Sequence, residues 1–91
     1  MAEHLVALDI INKLGLHARA AAKLVETVAP FQASVRVGRG ERLVDARRIM
    51  ALLMLGAGQG TQLQLSVSGE DADAALAAVQ SLVARRFDEA E

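Results

Sequence analysis

The sequence predicts an α+β fold in which an antiparallel sheet of four strands is covered on one face by three helices, and three observations carry that expectation. Three short segments alternate apolar with polar residues, and a fourth, shorter one follows a glycine turn. Two longer ones repeat their apolar residues at the spacing of a helix face, and a third segment is too continuously apolar for a surface strand and fits a short helix. The two kinds follow one another as β-α-β-β-α-β-α with short connections, which gathers the helices on one side of a sheet. Periodicity alone leaves the pairing order of the strands open.

The first predicted strand runs from His4 to Ile11, with Val6, Leu8 and Ile10 on one face, and Asn12-Lys13-Leu14-Gly15 ends it. Beyond Gly15 the period changes. Ala21, Leu24, Val25 and Val28 line one face of a helix over about 17–29, which Pro30 stops. Phe31, Ala33, Val35 and Val37 then alternate with polar residues as a second strand, and Gly38-Arg39-Gly40 turns it into a third at Arg42-Leu43-Val44. The apolar run between Arg47 and Leu55 fits a short helix with a broad buried face that includes Leu52 and Met54, ended by the glycines of 56–60. Leu63, Leu65 and Val67 mark the fourth strand. In the last helix Ala72, Leu76, Val79 and Val83 form the expected buried stripe. Glu70, Asp71 and Asp73 at its start and Arg85-Arg86 at its end suit the helix dipole. From Phe87 onward the chain reads as a frayed acidic tail.

A chain of 91 residues supports one core, so residues 1–91 are expected to form a single domain. Apolar residues make up 53 % of it, yet charge interrupts every run before it reaches membrane-spanning length, and no basic-then-apolar leader opens the chain. A cytoplasmic location is the expectation. The absence of cysteine excludes disulfides, thiolate nucleophiles and zinc-thiolate sites. A net charge of −1 and an aromatic content limited to Phe31 and Phe87 argue against nucleic acid and anionic membranes as partners. His4 has no metal-ligand spacing with His17, and the Gly-rich 56–60 run lacks the lysine of a phosphate-binding loop, so neither metal nor cofactor is expected.

The stretch with chemical content is Leu14-Gly15-Leu16-His17-Ala18-Arg19-Ala20, which sets a histidine at a loop-to-helix junction. Backbone N–H groups in the first turn of a helix lack intrahelical partners, so those of Ala18 and Arg19 can hold an anion. The positive end of the dipole favours a neutral, nucleophilic imidazole over imidazolium. Arg19 brings a fork of donors suited to phosphate oxygens, and Gly15 permits a close backbone approach, here expected to leave room for a partner. Taken alone the motif is weak, because histidines at helix starts are more often caps or surface residues.

This stretch resembles the Gly-Leu-His-x-Arg-Pro-Ala signature of HPr-type phosphocarriers of the phosphoenolpyruvate-dependent phosphotransferase system. Asp45-Ala46-Arg47-Arg48-Ile49-Met50-Ala51-Leu52-Leu53-Met54-Leu55-Gly56, with Gly58-Gln59-Gly60-Thr61, is similar to the family's second helix and the turn after it. Details of 12–15 and 51–55 are nearer to proteobacterial members, including the nitrogen-related NPr branch. The resemblance implies an open-faced sandwich that is not an enzyme in its own right. It implies that enzyme I phosphorylates His17 at Nδ1, that Arg19 stabilises the phosphate, and that an EIIA-type acceptor then removes it. It further implies a monomer with a docking patch of Ala22, Arg48, Ile49, Met50 and Leu53, and possible outputs in sugar uptake, nitrogen control or carbon storage.

Two departures stand out. Ala20 replaces the signature proline, keeping the helix but restoring an N–H donor. Arg48 replaces a serine that a regulatory kinase phosphorylates in many members, so that control is expected to be absent. Arg47-Arg48 read either as positive charge beside the docking face or as solvated arginines at a helix start. A regulatory domain that binds partners without carrying phosphate, and a small ligand- or RNA-binding domain, are the alternatives. Retention of the histidine speaks against the first, and the composition against the second.

Overall fold

The computed structural model describes residues 2–91. Its elements are β1 (Ala2–Asp9), α1 (Ala18–Val28), β2 (Ser34–Arg39), β3 (Arg42–Asp45), α2 (Ile49–Leu53), β4 (Gln62–Gly69) and α3 (Ala72–Ala84), followed by a single 3-10 turn at Arg86–Asp88. All strand pairs are antiparallel and the order across the sheet is β1-β4-β2-β3. The last strand in sequence therefore lies inside the sheet, paired along its whole length with β1, from Ala2 opposite Gly69 to Asp9 opposite Gln62.

Alternation then decides which face is wet. Leu8 of β1, Val35 and Val37 of β2 and Leu63, Leu65 and Val67 of β4 are buried, while their polar neighbours face outward. The core closes against Ala20, Ala21, Leu24 and Val28 of α1, Leu52 of α2, and Ala72, Ala75, Val79, Leu82 and Val83 of α3. The alanines matter as much as the larger side chains, since they let the helices lie close to the sheet. Among the described residues no helix is long and apolar enough to cross a membrane.

Several boundaries differ from the sequence expectation for identifiable reasons. Ile10 lies past the end of β1 but stays buried, its N–H and C=O bonded to Thr61 and Gly60. Residues 31–33 are not strand, because side chains occupy their backbone groups. Arg47 donates to the carbonyls of Val28, Phe31 and Ala33 at 3.0, 2.6 and 3.1 Å. Asp71 accepts from the N–H groups of Gln32 and Ala33, each at 2.8 Å. Arg47 is thus neither of the two things its sequence position suggested: it is a cross-brace between the end of α1 and the start of α2.

The second helix is shorter than expected, since Asp45 accepts from the Arg47 N–H in a turn and Gly56 takes a positive φ of 61° after the last helical residues. Its phase also differs, with Leu52 buried as expected but Met54 81 % exposed. On α3 the buried stripe includes Ala75 and Leu82, and Leu76 is only half-buried.

The largest correction concerns the tail. Phe87 is 1 % exposed, and Arg86, Phe87 and Asp88 all adopt left-handed backbone, with φ of 56°, 54° and 63°. Each such non-glycine residue costs on the order of 1 kcal/mol, so the segment stays bent only because it is anchored. Burial of the Phe87 ring does this, with Lys23 donating to the Phe87 carbonyl at 2.9 Å and Arg85 to the Asp88 carboxylate at 2.9 Å. The chain end is a folded strap.

Candidate functional site

The site is built where the β1–α1 loop, the start of α1 and the strap meet. Gly15, at φ 68°, lets the loop approach the segment after α2 so closely that the Leu16 N–H donates to the Ala57 carbonyl at 2.8 Å. The close approach is to the protein's own backbone, where the sequence suggested clearance for a partner. Asn12, fully buried, donates from Nδ2 to the Gly15 carbonyl at 2.8 Å and so clamps the loop from inside.

His17 is the N-cap of α1, with extended backbone and a side chain 28 % exposed. The Arg19 N–H donates to its Nδ1 at 3.3 Å. A backbone N–H can only donate, so Nδ1 presents its lone pair and the ring proton of the neutral imidazole sits on Nε2. Nε2 is hydrogen-bonded to the Glu89 carboxylate of the strap. The other Glu89 oxygen accepts from Asn12 Nδ2 at 2.9 Å. Burial favours the neutral form of the Glu89 carboxyl, but the hydrogen bonds from Asn12 and His17 and the positive charge of Lys23 outweigh it and hold the group below its ordinary 4.5.

His17 and Glu89 border an open depression of about 740 Å³ that Lys13, Leu14, Ala18, Arg19 and Glu91 also line. Lys13 closes its rim by donating its backbone N–H to the Glu91 carbonyl at 2.6 Å. The Arg19 side chain is exposed and makes no hydrogen bond or ion pair among the described residues. The depression therefore offers a ring nitrogen, helix-start N–H groups and an exposed, unengaged guanidinium, an arrangement suited to a small anion with negative oxygens.

The residues singled out for docking fall on α1 and α2. Ala22 and Leu53 are half-buried, Ile49 and Met50 are 38 % and 67 % exposed, and Arg48 is exposed at the N-cap of α2. Met54 joins this exposed apolar face rather than the core. Among the described residues no cluster of three or more His, Asp or Glu side chains is placed to hold a metal ion. His4 instead pairs with Asp73 at 2.6 Å, joining β1 to α3.

Reading the sequence missed Asn12, taken only as a turn residue, and Glu89, taken as tail. One signal was available for the second: Phe87 is a lone large apolar residue in a charged segment, which is the mark of an anchor.

Residues 6–85 match the family described as the PTS HPr component phosphorylation site. Phosphocarrier protein HPr of Pseudomonas aeruginosa is 54 % identical over 85 residues, covering 92 % of this chain and 94 % of that protein. Phosphocarrier protein NPr of Shewanella violacea is 48 % identical over 81 residues, covering 89 % of each. The crystal structure of HPr-C-His from Thermoanaerobacter tengcongensis superposes with a TM-score of 0.89 at 37 % identity, covering the whole of both chains.

Proposed function

The chain belongs to the HPr family of phosphocarriers of the phosphotransferase system, and we propose that His17 accepts a phosphoryl group at Nδ1 from phospho-enzyme I and passes it to a histidine of an EIIA-type acceptor. The observation that carries this assignment is the orientation of the ring: Nδ1 lies unprotonated at the N-terminus of α1, its lone pair accepting a 3.3 Å bond from the Arg19 N–H that an incoming phosphorus can displace.

In the transfer, the Nδ1 lone pair forms a bond to phosphorus while the bond from phosphorus to the donor histidine nitrogen breaks, and that nitrogen keeps the electron pair. No proton need move, because the His17 ring proton is already on Nε2. Once Nδ1 is phosphorylated, the Arg19 N–H no longer has a ring acceptor and faces the phosphoryl oxygens instead, together with the Ala18 N–H. The Arg19 guanidinium, exposed and unengaged, supplies bidentate donors as charge spreads over those oxygens. Positioning and charge stabilisation are most of what this reaction asks of a protein, so a carrier of this size suffices.

The exposed apolar face of Ile49, Met50 and Leu53, with Ala22 and Arg48 at its edge, is the docking surface in this reading, and the protein works as a cytoplasmic monomer. Its phosphorylated and unphosphorylated forms differ by about two charges at one point, which lets partners distinguish them and gives the relay a regulatory output. Control by a serine kinase is absent at Arg48.

Intact-protein mass after incubation with phosphoenolpyruvate, magnesium and the cognate enzyme I tests the assignment. One acid-labile phosphoryl group on the wild type and none on His17→Ala is the expected result. A folded wild type that takes no phosphoryl group would refute it.

A further inference from the structure

We propose that Glu89 is a positioning residue for His17, holding the ring proton on Nε2 and balancing the positive charge the ring carries when Nδ1 is phosphorylated, so that the C-terminal strap sets the phosphoryl-transfer equilibrium. The inference rests on His17 being the phosphoryl acceptor and adds a residue from the far end of the chain to its chemistry.

The Glu89 carboxylate is held at both oxygens. Its two oxygens have different partners, His17 Nε2 and Asn12 Nδ2, and Asn12 is fully buried and bonded to the loop that carries His17. The strap that delivers Glu89 bends through three left-handed residues on a buried Phe87 anchor, and the Lys13–Glu91 backbone bond fixes it on the far side. A tail lying there by chance would need none of these. Among the other charged groups, Lys23 supports the ionised form of the carboxylate, while Asp88 is occupied by Arg85 and Lys23.

Two consequences follow from the chemistry of imidazole. In the free protein a carboxylate on Nε2 selects the tautomer that leaves Nδ1 unprotonated, which is the nucleophilic form required. After transfer, Nδ1 carries phosphorus, Nε2 retains its proton, and the ring bears positive charge until that proton leaves. An ionised partner at Nε2 stabilises this state more than a neutral amide does, because a charge-assisted hydrogen bond is about twice as strong.

The test compares wild type, Glu89→Gln and Glu89→Asp, with His17 labelled by nitrogen-15. In the unphosphorylated wild type the imidazole Nε2–H proton should be visible as an exchange-slowed NMR signal, lost or strongly broadened in Glu89→Gln and partly restored in Glu89→Asp. With enzyme I and a fixed ratio of phosphoenolpyruvate to pyruvate, the equilibrium constant for His17 phosphorylation should fall roughly three- to tenfold in Glu89→Gln, given that the pair is partly solvated. A wild type with no such proton signal, or a Glu89→Gln protein with unchanged signal and equilibrium constant, overturns the proposal. The proton signal needs no phosphoryl donor and is read on wild type itself, so it decides the Glu89 contact even if a variant folds poorly. Failure of the wild type to take up phosphate sinks the acceptor assignment and the counter-charge role with it, whatever the proton signal shows.

Discussion

A Cβ on residue 15 would lie 2.4 Å from the carbonyl oxygen of Ala57, inside any distance that real side chains tolerate. Gly15 and Ala57 therefore lock the histidine loop onto the segment after α2. Gly15→Ala should destabilise the fold by about 2–4 kcal/mol, from left-handed strain and a clash with backbone that cannot rotate away. Urea unfolding measures it, and a loss below about 0.5 kcal/mol, the range of inert surface changes, would contradict the packing described.

Neighbouring arginines should behave unlike one another. Arg47→Ala removes a donor from three carbonyl groups, of which, among the described residues, only that of Val28 keeps another, the Phe31 N–H, and is expected to cost about 2–4 kcal/mol, with Arg47→Lys recovering only part, because an ammonium cannot span the same fork. Arg48→Ala should stay within about 0.5 kcal/mol of wild type. Equal effects in thermal denaturation would show that the cross-brace is not what holds the α1–β2 connection.

Arg19→Ala should slow phosphoryl transfer from enzyme I by about 10- to 100-fold, as loss of one transition-state donor does elsewhere, while leaving the unfolding midpoint unchanged because the side chain is exposed. Stopped-flow or quench-flow transfer rates read the first, and denaturation the second. A rate equal to that of wild type would remove Arg19 from the site.

Phe87→Ala removes the anchor of the strap. Large-to-small changes at buried phenylalanines cost about 3–5 kcal/mol, and here the loss should also free residues 88–91, seen as hydrogen-exchange protection disappearing at the Lys13 N–H, which donates to Glu91. Protection that survives the substitution would show that the tail is held by something else.

The strap should also loosen in acid. Asp88, through its hydrogen bond from Arg85 against burial and with the charges of Arg85 and Lys23, and Glu89, against burial through the bonds from Asn12 and His17, both titrate lower in the folded protein than their ordinary 3.8 and 4.5. As pH falls the unfolded strap takes up protons first, so the stabilisation is complete above about pH 5 and is lost as pH drops through 4.5 and below the folded values. Amide shifts of Lys13 and His17 followed from pH 6 to pH 3 should move together in that window, ahead of global unfolding. Shifts that stay constant until the whole protein unfolds would contradict it.

Much of this architecture is local in origin. Val35 and Val37 on one face of a strand, Leu24 and Val28 on one face of a helix, and a histidine between Gly15 and Arg19 at a helix start are each set by residues within a turn or two of one another, and all of them stand in the structure where the pattern places them. The second helix shows where locality fails. The seven consecutive apolar residues from Ile49 to Leu55 carry no phase, so whether Leu52 or Met54 turned inward depended on how α2 lay against its neighbours.

The amino-acid sequence by itself determined the elements, their order, the one-sided core and the chemical motif around His17. Only the tertiary structure decided that Arg47 braces three carbonyls, that Asn12 clamps the histidine loop, and that Glu89 meets a histidine 72 residues away. Periodicity records which face of a segment avoids water, and that is a property of near neighbours. Contacts between distant residues follow instead from placing β4 inside the sheet and burying Phe87 under the end of α3, and no short stretch of chain encodes that placement.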